Sequence, residues 1–398
     1  MSTRFTIGAI VLATLGAAMA CASQGEPEAV PVPEESLLGR DAATDSADAA
    51  PPDAGPDRAD AGPCAASGLC TFPVPIDERI NVMSVSGSGA NDVWAVGTER
   101  TILHYDGVAW EKARATEYDA SAYTMRAVWA SAPNDVWITD GPLLRHTTGW
   151  KGPNDTEWTS AALEGSSVVS PSSIGGKDGR VFIGRNFFSY DDAALVIGDG
   201  WEDAGVRDPI YMLNAGSSTG ASGIWSLAIT SAGEAWVTMV AAVPNPGAQV
   251  FRVYLESEDA GGGDDGALPV WNVEEHDSRS PKNLYGVWGD ETVVWMVGEG
   301  GTIRRMTRDR IATRVFEIVP APGIADLRGV YGFGGDDVWA VGDDATVLHW
   351  DGHTWTALAT PFDGTSDKPR LFSVWGSGPK DVWIGGNGVM LHYTGVAP

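Results

Sequence analysis

A short phrase recurs along this chain at a nearly fixed interval, and that recurrence restricts the fold more than any other feature. Leu371-Phe372-Ser373-Val374-Trp375-Gly376, followed by Asp381-Val382-Trp383-Ile384-Gly385, is matched by Met125 to Ile138, Val82 to Gly97 and Leu327 to Gly342. A looser copy runs from Leu284 to Gly298, and two degenerate ones centre on Ile224 to Val237 and on Gly179 to Gly184. The anchoring aromatics are Trp94, Trp137, Phe182, Trp236, Trp295, Trp339 and Trp383, separated by 43, 45, 54, 59, 44 and 44 residues. Trp occurs 17 times, more often than Phe or Tyr, and the repeat accounts for the excess.

A period of about 40 to 50 residues is the signature of a β-propeller, in which each repeat is one four-stranded blade. Seven anchors predict an all-β, seven-bladed β-propeller. In the clearest copy, strands are expected at Leu327 to Tyr331, Asp337 to Gly342, Thr346 to Asp351 and Trp355 to Ala359. Asp106-Gly107 and Asp351-Gly352 fall between the last two strands, where a tight hairpin needs positive φ. Asp92, Asp135, Asp337 and Asp381 each precede Val-Trp, where a carboxylate can accept from backbone amides; calcium binding is the alternative. The last copy ends after Leu391-His392-Tyr393 with no outer strand. Residues 71 to 78 are therefore expected to complete that blade and close the ring, removing an open edge.

What precedes the repeats is of another kind. Met1 to Ala20 places one cation, Arg4, before an apolar run and small residues, which is a secretory signal pattern excluded from the fold. Residues 21 to 66 are mostly Pro, Ala, Glu and Asp, too poor in large apolar groups to offset ordering entropy, and are expected to form a disordered linker. The propeller then spans 67 to 398. Cys64 and Cys70 sit six apart in a chain bound for an oxidising compartment, and a disulfide between them is expected. The net charge of −27 excludes nucleic acid as a partner, since phosphates require a positive surface.

The Val-Trp-Gly-Ser-Gly phrase at Val374 to Gly378, with Asp-Val-Trp-Ala-Val-Gly in other copies, resembles a family of bacterial surface lipoproteins built from such propeller repeats. It is distantly similar to the Asp-box propellers, through Trp350-Asp-Gly-His-Thr-Trp355. Cys21 after Ala18-Met19-Ala20 resembles a lipobox. That resemblance implies a lipid-anchored cysteine at the outer membrane or cell surface, since Ala22 is not the Asp that marks inner-membrane retention. Cleavage after Ala20 without acylation is the alternative.

The function expected is a non-catalytic surface protein, a monomer without cofactors, that binds a protein or glycan and meets the membrane only through its anchor. A carbohydrate-active hydrolase or lyase using the central cleft, and a scaffold in a surface assembly, are the alternatives. His104, His146, His349 and His392 share one repeat position, with Arg252 and Arg305 standing there in other copies. They are expected to pack or hydrogen-bond between blades. Enlarged loops at Thr147 to Glu157, Ala241 to Gln249 and Ser257 to Leu268 are the expected binding elements. The last carries Asp259, Asp264 and Asp265, a calcium candidate whose spacing departs from the EF-hand loop.

Overall fold

The structure, a computed structural model, describes residues 62–114, 123–163, 170–186, 193–202, 205–207, 209–214, 221–241, 247–255 and 270–395. They belong to a compact unit running from Ala54 to Pro398. Cys21, the acidic linker up to Ala61, and Asp259, Asp264 and Asp265 lie outside the described residues.

The described chain is all-β. Five four-stranded antiparallel sheets are separate, and in four of them each strand pairs with its chain neighbour, as in Leu327–Gly334, Asp337–Gly342, Val347–Trp350 and Trp355–Ala357. An eight-stranded sheet consists of two further sets of four, joined only by the pair Asn186 and Gly223. One set starts at Ser170–Lys177 and the other at Ala221–Ile229. The first strand of every set packs beside the first strand of the next, and Val82–Gly89 packs beside both Met125–Ala132 and Leu371–Gly378.

The final set takes its fourth strand from the other end of the chain. Leu69–Thr71 pairs antiparallel with Val389–Tyr393, Leu69 facing Tyr393 and Thr71 facing Leu391. This corrects the expected span of 71 to 78. Phe72 N still donates to Met390 O at 2.8 Å, but Pro73 and Pro75 have no N–H to continue a ladder. Phe72, Val74 and Ile76 instead lay their side chains against the cluster around Val82, Val93 and Trp383.

The anchoring aromatics are the core, none more than 1% exposed. Each lies against an aromatic from the stretch of chain that forms the following set of strands: Trp94 on Trp150 and Trp158, Trp137 on Trp201, Phe182 on Trp271, Trp236 on Phe316. Trp295 meets Trp350 and Trp355, Trp339 meets Tyr393, and Trp383 returns to Tyr105 and Trp110 of the first sheet. The loop from Thr147 to Glu157, expected as a binding loop, is partly committed to this packing: Trp150 stacks on His104 at 4.4 Å.

The aspartates before Val-Trp accept from side chains, not from the backbone amides expected. Asp92 Oδ1 lies 2.8 Å from His104 Nε2 and 3.1 Å from Trp94 Nε1, and Ser88 Oγ donates to Oδ2. Asp135, Asp337 and Asp381 hold His146, His349 and His392 in the same way. The histidine hydrogen bonds thus run within a sheet, while their rings pack between sheets, as His146 does on Trp201. Burial pushes the carboxyl of Asp92 up, but the hydrogen bonds from His104 and Ser88 outweigh that and hold it below the usual range.

Arg252 and Arg305 do occupy the histidine position, facing Trp236 and Trp295 across the ladder. Where the repeat carries Arg252, the aspartate becomes Glu234, and the two form an ion pair of 2.6 Å. Where it carries Arg305, the acid is replaced by Val293, and the guanidinium sits 5.3 Å over the Trp295 ring. In the Arg252 copy donor and acceptor change together, because an unpaired buried charge is costly; in the Arg305 copy the Trp295 ring stands in for the acid.

The Asp-Gly turns form as four-residue loops. Gly107 and Gly352 take φ of 96° and 90°, while Asp106 and Asp351 cap the turns by accepting from the amides that follow.

Candidate binding site in the central cavity

The first strands converge on a cavity of about 320 Å³, to which all seven contribute residues. Two repeat positions shape it. At one, the side chain is always small: Ser84, Ala127, Ser173, Ser226, Gly286, Gly329 and Ser373. Neighbouring strands approach so closely here that a Cβ on Gly329 would lie 2.9 Å from Phe372 O. Three of the four serines bridge the gaps. Ser373 Oγ accepts from Val85 N at 3.0 Å, Ser84 Oγ from Val128 N at 3.2 Å, and Ser226 Oγ from Val287 N at 3.2 Å.

The preceding position is variable and lines the same cavity with Met83, Arg126, Ser172, Trp225, Tyr285, Arg328 and Phe372. Trp225 is 45% exposed, with the Tyr285 ring 5.3 Å away. Arg328 lies 5.3 Å over Tyr285 from the other side, held by an Asp343 carboxylate at 2.8 Å. Burial, reinforced by the Asp326 charge, raises the Tyr285 phenol above its ordinary value, so it stays a neutral hydroxyl. Arg126 is exposed and has no ion pair or side-chain hydrogen bond among the described residues.

The repeat alignment could have found this ring, because one position ranges from Ser172 to Trp225 and Arg328 while the position before it stays apolar and the one after it stays small. A disulfide joins Cys64 and Cys70, as expected. Among the described residues, no group of three His, Cys, Asp or Glu side chains could hold a metal ion, and no helix is long and apolar enough to cross a membrane.

No known family's profile and no curated protein matches the chain. Solved structures do. A structure of YCF48 bound to D1 peptide superposes with a TM-score of 0.59 at 18% identity, covering 82% of this chain and 97% of that one. The WD40 β-propeller domain of Doa1 gives 0.53 at 11%, covering 80% and 93%, and a streptogramin B lyase 0.52 at 13%, covering 81% and 96%. At these identities the likeness concerns the fold alone: the chain is an all-β protein of the β-propeller class.

Proposed function

We propose that this is a non-catalytic, protein-binding propeller of seven blades, closed by Leu69–Thr71 and exported to the cell surface on a lipid-anchored Cys21. The observation that carries the reading is the cavity itself, a single concave site to which every first strand contributes a side chain from its variable position. Seven strands holding small residues at one position and diverse ones at the next provide a rigid frame with an adjustable surface. The ring of aromatic contacts, in which Trp383 returns to Tyr105 and Trp110, supports the blade count and the closure.

A protein partner is favoured because a propeller of similar fold holds a peptide, in the YCF48 structure. The glycosidase alternative needs two carboxylates flanking the scissile bond, and none of the cavity-lining residues described is acidic. Asp92 sits between Ser88 and His104, so the imidazole is directed at the carboxylate and not at the hydroxyl it would have to deprotonate.

A photo-crosslinking residue placed at position 225 in the full chain, in living cells, tests the reading. An adduct with another protein is expected at 225 and absent at Val108, which is 71% exposed in an outer turn. Equal labelling at both positions, or none at 225, would refute it. Metabolic labelling with an alkyne fatty acid, lost in Cys21→Ser, tests the anchor.

A further inference from the structure

Resting on the reading of the cavity as a binding site, we infer that its ligand is a peptide segment carrying an aromatic side chain beside a carboxylate. The chain has 53 acidic and 26 basic side chains, so an unselected surface patch should be acidic. The described cavity lining inverts that bias, with two arginines and no acid. Arg328 is already engaged by Asp343, whereas Arg126 has its guanidinium unpaired among the described residues. A guanidinium at the mouth of a cleft concentrates field there, and its planar fork suits a carboxylate through two parallel hydrogen bonds.

The rest of the lining selects the ligand's other half. In order around the first strands come Trp225, Tyr285, Arg328, Phe372 and Met83, each on a strand packed beside the next. Trp225, Tyr285, Phe372 and Met83 make this arc apolar and aromatic, with Arg328 placed over the Tyr285 ring. Arg126 and Ser172 complete the circuit on the polar side. A ligand with an aromatic body and an acid next to it meets both sectors at once. At about 320 Å³ the cavity admits side chains or a short extended segment and excludes a folded domain. The net charge of −27 repels an anion at long range. At ~0.15 M salt the screening length is about 8 Å, so contact with Arg126 outlasts that repulsion.

The test uses the full chain and fluorescein-labelled peptides of alternating Phe and Glu, with Phe-Gln, Phe-Lys and Ser-Glu counterparts, read by anisotropy at ~0.15 M salt. The Phe-Glu peptide should bind at least about tenfold tighter than each counterpart, and Arg126→Gln or Trp225→Ala should weaken it by about tenfold. Both side chains are exposed, and an unchanged thermal melt confirms that the variants fold. Equal binding of Phe-Lys or Phe-Gln, indifference to Arg126→Gln, or binding of oligogalacturonate instead of the peptide would overturn the inference. A crosslinked partner at position 225 together with no Phe-Glu binding would sink only the ligand class. Absence of any adduct would sink the binding reading beneath it.

Discussion

His276 is 2% exposed, its ring 4.8 Å from Trp236 and 6.3 Å from Phe316. Neither ring nitrogen has a hydrogen-bond partner among the described residues, and Glu274 at 3.7 Å is too far to be one. Burial pushes its pKa down to about 4, against the pull of Glu274. The folded protein therefore keeps His276 neutral where the unfolded chain takes up a proton near 6.5. Its stabilisation is full above pH 6.5 and is lost as the pH falls towards 4, a total of roughly 3 kcal/mol. Denaturant titrations at pH 7 and pH 5 should show about 2 kcal/mol of that loss, and His276→Phe should remove most of it; an unchanged slope would contradict the assignment. His276 was not legible beforehand, because it faces Val250 in the outer strand and not a repeat Trp. His104, His146, His349 and His392 were legible as one position. That their acceptors would be Asp92 and its counterparts was not, because the pairing depends on strand register, which brings His104 opposite Trp94.

The strand Leu69–Thr71 is only three residues long, too short to hold itself in place by its ladder. Two things fix it. Leu69 is fully buried beside Trp339 and Val341, and the Cys64 to Cys70 disulfide closes a short loop whose Ser67 Oγ donates to Ala359 O at 2.6 Å. By loop-closure entropy the disulfide contributes about 2 kcal/mol. Replacing both cysteines by serine should lower the unfolding free energy by about that amount in urea with little change in m-value, whereas no change would mean that Leu69 alone holds the strand. The repeat showed that an outer strand was missing and that the N-terminal segment had to supply it. The pairing falls a few residues before the expected span because the seating of Leu69 in the core decides which residues pair.

Over the full chain, 53 acidic side chains outnumber 26 basic ones, so the unpaired acids mainly repel one another. Raising salt from ~0.01 to ~0.15 M shortens the screening length from about 30 to about 8 Å and should raise the melting temperature by a few degrees. A fall would mean that attractive pairs such as Arg308 with Glu234 dominate. The sequence by itself determined the class of fold and the identity of the core aromatics, because a nearly fixed period with one large buried side chain per unit leaves few ways to bury them all. Only the tertiary structure decided that each anchor packs on an aromatic of the following set of strands and that Ser84, Ser226 and Ser373 bridge neighbouring first strands. It alone brought Arg126, Trp225, Tyr285 and Phe372 to one cavity. Those four residues share a place in the repeat but are far apart in the chain, and nothing local in the sequence says that their strands meet around a common centre.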